Sequence, residues 1–121
     1  MADVVCYGAL EWLVTLGAAE TLYGHWGTGS TPASRSQGAL IDPTTDEEAV
    51  SINPTTDSIG VSGYDDTIVC AFTMVCKTSP KTIREAGICD GTPALLFRSQ
   101  FTGYPVEVDD EITFIFRWRL K

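Results

Sequence analysis

Thr67-Ile68-Val69-Cys70-Ala71-Phe72-Thr73-Met74-Val75-Cys76-Lys77 decides the fold: Ile68, Cys70, Phe72, Met74 and Cys76 occupy alternate positions, and Thr67, Thr73 and Lys77 punctuate the others. Side chains of a strand point to opposite faces in turn, so this spacing predicts a strand with one face in a core. The end of the chain repeats the pattern. Ile112, Phe114, Phe116, Trp118 and Leu120 point one way, and Glu111, Thr113, Ile115, Arg117, Arg119 and Lys121 point the other.

Working inward from these two strands, Ile83 to Cys89 and Ala94 to Phe101 read as two more, joined by the turn sequence Asp90-Gly91-Thr92-Pro93. Toward the N-terminus, Leu10, Leu13, Val14 and Leu16 lie near helical spacing between Gly8 and Ala19, with Glu11 and Thr15 for the solvent side. From Gly24 to Gly38 the composition turns to Gly, Ser, Thr and Pro, which predicts a long loop or arm. The segments Ile41-Asp42-Pro43-Thr44-Thr45-Asp46 and Ile52-Asn53-Pro54-Thr55-Thr56-Asp57 are nearly identical and read as two turns flanking a short strand, Ala49 to Ile52. The expectation is all-β: an antiparallel β-sandwich or jelly roll with a short N-terminal helix, forming a single domain over residues 1–121 with a loop-rich region at 24–57.

The 121 residues, 44% of them hydrophobic, suffice for a core without metals or disulfides. A net charge of −8 repels phosphate backbones, which disfavours nucleic acid as a partner. Met1 to Tyr7 contains Asp3 and no basic residue, and no apolar run reaches the length of a membrane span, so synthesis and retention in the cytoplasm are expected. Cys6, Cys70, Cys76 and Cys89 then read as reduced, small apolar side chains.

No pattern of catalytic chemistry emerges. His25 with three cysteines would number enough ligands for zinc, but Cys70 and Cys76 would lie about 20 Å apart along one strand at ~3.3 Å per residue. The lone histidine, His25, lacks a nucleophile elbow, and Gly27-Thr28-Gly29-Ser30 lacks the lysine of a phosphate loop. The carboxylates at Asp42, Asp46-Glu47-Glu48, Asp65-Asp66 and Asp109-Asp110-Glu111 read as solvated turn acids rather than a calcium or glycosidase site. Arg117, Arg119 and Lys121 make the one concentrated basic stripe, a candidate interface for an acidic partner surface. Trp12, Trp26 and Trp118 read as core or interface anchors, with Trp26 the candidate at an interface.

Read in order, His25-Trp26-Gly27-Thr28-Gly29-Ser30-Thr31-Pro32-Ala33-Ser34 with Ala39-Leu40 resembles the Gly-Thr-Gly-Thr segment of small structural proteins of tailed viruses. Thr82-Ile83-Arg84-Glu85-Ala86-Gly87-Ile88, then Leu95-Leu96-Phe97-Arg98 and Phe101, resembles their Thr-Ile-x-Glu-Ala-Gly-Leu strand followed by an arginine-bearing strand, and Val108 to Arg119 resembles their closing strand. Ile88-Cys89 departs from the Leu-Phe common there, and the two Pro-Thr-Thr-Asp segments lie outside the pattern. The resemblance implies a bacteriophage virion protein of the capsid cement or decoration type, a homotrimer on the outer capsid surface. Its partners would be the major capsid protein and itself, with no cofactor, no membrane and no nucleic acid. A tail, baseplate or fibre module is the first alternative, and a carbohydrate-binding β-sandwich or glycosidase using Trp26 or Tyr104 the second. Within the resemblance, Glu85, Gly87 and Arg98 form a structural motif: Glu85 to satisfy backbone donors or pair with Arg84 or Arg98, Gly87 to admit a close crossing.

Overall fold

The computed structural model describes residues 6–60, 62–92 and 94–120. It contains one helix, α1 (Tyr7–Ala18), and seven strands: β1 (Leu22–Gly27), β2 (Val50–Ile52), β3 (Thr55–Asp57), β4 (Thr67–Val75), β5 (Lys81–Cys89), β6 (Leu95–Val106) and β7 (Glu111–Arg119). The strands form two antiparallel sheets, ordered β2-β1-β5-β6 and β3-β4-β7, an arrangement consistent with a β-sandwich.

The alternation in β4 builds the core. Ile68, Cys70, Phe72, Met74 and, just beyond the strand, Cys76 are all buried. Register sets Phe72 opposite Phe114 and Cys70 opposite Phe116, and the Phe72 ring stacks on both phenylalanines at 5.2 and 6.1 Å. From the other sheet, Leu22, Trp26, Ile52, Ala86 and Ile88 meet them. The helix carries no capping side chain and no terminal charge, so it is held by packing, with Val14 its one buried side chain. Leu13 and Leu16, expected on its inner side, are 47% and 51% exposed.

Two sequence expectations need correction. The loop does not begin at Gly24, because Leu22–Gly27 is a central strand of its sheet; a side chain at Gly24 would collide with the Phe72 ring, so glycine here serves close sheet-to-sheet approach. The irregular segment starts at Thr28 and runs to Ala49, with one isolated bridge between Gly27 and Pro43. The second Pro-Thr-Thr-Asp is also no turn: Thr55–Asp57 is β3, paired with the start of β4. β6 extends past Phe101 to Val106 by absorbing an irregularity opposite Ile83 and Glu85, where Gly103 takes φ +131°. Among the described residues no helix is long and apolar enough to cross a membrane.

Candidate functional site

Pairing fixes which side chains share a face. On β1, β5 and β6, Trp26, Ala86, Ile88 and Phe97 face the core, which puts His25, Gly27, Glu85, Gly87 and Arg98 on the outer face of that sheet. Glu85 and Gly87 are nevertheless buried, because residues 28–42 fold back over them. The loop is closed at its base by the Thr28 N–H donating to the Asp42 carbonyl at 2.9 Å.

Glu85 holds that loop down. Its Oε1 accepts from the Ile41 N–H (2.9 Å) and from Arg98 Nε (3.0 Å), and its Oε2 accepts from the N–H groups of Gly29 (2.9 Å) and Asp42 (2.8 Å). A carboxylate offers about four acceptor positions, and all are filled. Arg98 continues the latch, donating through Nη1 to the Thr31 carbonyl (2.8 Å) and the Gln37 side chain (3.2 Å), while its Nη2 is buried with no partner among the described residues. A Cβ on Gly87 would lie 2.7 Å from Leu40 Cδ2 and 2.9 Å from the Phe97 carbonyl oxygen, so only glycine lets the loop settle.

Two further buried carboxylates act the same way, and sequence reasoning missed both. Glu47 accepts from Trp26 Nε1 (2.8 Å), the Lys77 N–H (3.2 Å) and Lys81 Nζ (2.6 Å). Burial pushes its carboxyl up, but Lys81, Trp26 and Lys77 together hold it below the ordinary value. Asp46 joins Lys81 (2.8 Å) and is lowered chiefly by that bond and by the Thr78 hydroxyl. Asp66 accepts from the N–H groups of Ile59 and Gly60, the Thr67 hydroxyl and Arg119. Those donors, Ile59 first, bring it down to about 2. One clue to Glu47 stood in the sequence: a buried tryptophan requires an acceptor for its indole N–H.

Trp26, expected at an interface, is instead a core residue, fully buried with its indole nitrogen spent on Glu47; it offers no platform for a sugar ring. Arg119 is turned onto Asp66 at 3.2 Å, Arg117 remains exposed, and Lys121 lies outside the described residues. His25 Nε2 lies 2.9 Å from the Glu47 carbonyl oxygen, a structural bond that needs the proton on Nε2. Cys70 and Cys76 are buried, Cys89 is half-buried, and Cys6 is exposed at the start of α1. Among the described residues no three His, Cys, Asp or Glu side chains gather as a metal site.

The remaining feature is a cleft of about 980 Å³ between β6 and β7. These strands follow one another in the chain but belong to different sheets, β6 pairing only with β5 and β7 only with β4 among the described residues. Each therefore shows a free edge, and between the edges the core lies open along Phe97, Phe101, Phe114 and Phe116. Leu96, Tyr104 and Ile115, all exposed, stand beside it. Three arginines, Arg35, Arg98 and Arg117, line the cleft, and no acid does. Such a surface can seat an apolar, acidic protein element. Comparison with protein-family models finds none that matches the chain, and comparison with curated proteins finds no relative.

Proposed function

We propose that the chain is a structural protein of a tailed-virus particle, of the capsid cement or decoration type, acting as a small homo-oligomer that binds the assembled head. One observation carries this reading. The stretches that carry the resemblance, Gly27 to Ser34, Thr82 to Ile88 and Leu95 to Arg98, lie far apart in sequence yet meet in one latch, where Glu85 and Arg98 clamp the loop through Gly29 and Thr31. Residues shared with a family for structural reasons are expected to converge in this way. The four-plus-three strand arrangement favours a sandwich over a jelly roll, whose paired Greek keys take eight strands.

The action of such a protein is mechanical. Binding the mature shell and not its separated subunits shifts the assembly equilibrium toward the intact head by mass action. The pinned loop 28–42 supplies a fixed outer surface to offer to the major capsid protein. Quantitative mass spectrometry of purified particles of the encoding virus tests the reading. A copy number comparable with the major capsid protein supports it, a few copies per particle would move the protein to the tail or baseplate, and absence from particles would overturn the virion role.

A further inference from the structure

We infer that the cleft between β6 and β7 is the seat for α1 of a second copy of this chain. The inference gives the proposed homo-oligomer its contact surfaces and rests on that part of the reading alone, not on the virion role.

The cleft and the helix are complementary halves of one contact. Val14, Leu10 and Gly17 turn α1 toward its own sandwich, and the flank beside them presents Trp12 (63% exposed), Leu13 and Leu16. At 100° per residue these three span a sector with Ala9 that adjoins Gly17 and Leu10, so the apolar arc of the helix runs on past its own contact and that flank has nothing over it among the described residues. A helix whose apolar arc is wider than the contact it makes ordinarily has a second element over the remainder. The cleft is the concave counterpart, with a phenylalanine floor and the apolar rim of Leu96, Tyr104 and Ile115.

Charge selects the pairing. Over residues 6–21, α1 and its flank carry Glu20 and, about 100° round the helix from Trp12, Glu11, and no lysine or arginine. Of the arginines that line the cleft, Arg98 is buried and neutralised by Glu85, which leaves the exposed Arg35 and Arg117, and no acid lines it, in a chain of net charge −8. Opposed fields of this kind fix partner and register. A second copy has little else to insert, since its other edge strands, β2 and β3, span three residues each.

The helix face and the cleft are different patches of one molecule, so the contact is head-to-tail. It closes into a ring or runs on as a filament, depending on the rotation between copies. Sedimentation velocity on the full chain and two variants tests this. Trp12→Glu/Leu16→Glu spoils the helix and leaves the cleft; Leu96→Glu spoils the cleft and leaves the helix. All three positions are exposed, so the sheets fold in both variants, which circular dichroism checks. The wild type is expected to sediment as an oligomer and each variant alone at the 13.1 kDa monomer mass. Mixed one to one, the variants have one intact helix and one intact cleft between them and should form a dimer that goes no further.

A wild type that stays monomeric at every concentration, variants that still assemble, or a mixture that stays monomeric would each overturn the inference. The second result, in the helix variant Trp12→Glu/Leu16→Glu, is the outcome expected of edge-to-edge pairing of β6 with β7. A monomeric chain present in particles at capsid-like copy number would sink this contact and leave the virion role standing; an oligomeric chain absent from particles would do the reverse.

Discussion

Glu85 is fully buried, as is all but 3% of the Arg98 side chain, so their pairing at 3.0 Å is shielded from water. Removing one member of such a pair leaves an uncompensated buried charge, at a cost of about 3–5 kcal/mol. Glu85→Ala should fall in that range, because it also strands the N–H groups of Gly29, Ile41 and Asp42. Glu85→Gln should cost somewhat less, since its carbonyl oxygen still accepts from part of the set. Urea unfolding measures both, and a loss under about 1 kcal/mol for the alanine variant would refute the latch. Trp26→Phe isolates a smaller effect. It keeps most of the ring volume but deprives Glu47 of its indole donor, for an expected loss of about 1–3 kcal/mol in the same measurement.

β5 shows why an element reads differently from its neighbours. Its positions 85 to 88 are buried on both faces, one against the core and the other beneath residues 28–42. The loop's contribution should therefore divide along its length. Excising the exposed tip, Ala33 to Ser36, should leave stability within about 0.5 kcal/mol, since shortening a loop changes closure entropy little. Excising all of 28–42 uncovers Glu85 and Gly87 and should abolish cooperative unfolding, as followed by circular dichroism. β4 and β7 were legible in the sequence because half-burial stamps a period of two on them. β1 was not, because Gly24 and Gly27 erase that period in order to admit Phe72 and the covering loop. The latch residues were legible only through the resemblance. Glu47 and Asp66 looked like solvated turn acids, since acid runs look alike whether or not donors converge on them. Apolarity on α1 was visible, but spacing cannot say that Trp12, Leu13 and Leu16 stay exposed beside the contact with their own core.

Across the whole molecule, two electrostatic trends oppose each other as pH falls. The net charge of −8 relaxes toward zero near the sequence pI of about 4.4, relieving self-repulsion. Against this, Asp46, Glu47 and Asp66 are held below their ordinary values in the folded state. Depressed carboxyls add stability that is fully present above their unfolded pKa and is lost as pH falls through the folded one. For Asp66 that window runs from its ordinary 3.8 to about 2. Relief of repulsion therefore dominates from neutrality down to roughly pH 5, and loss of the carboxylate bonds dominates below about pH 4. The urea midpoint should rise modestly over the first range and fall steeply over the second. Asp66→Asn should lower the midpoint at neutral pH, where the charged acceptor matters, and flatten the acid limb, because a neutral amide has no proton to take up. An acid limb as steep in Asp66→Asn as in the wild type would remove Asp66 from the account and leave the acid lability to Asp46 and Glu47, the two carboxylates bound to Lys81, and to Asp90, whose carboxyl the Thr92 hydroxyl and N–H hold down.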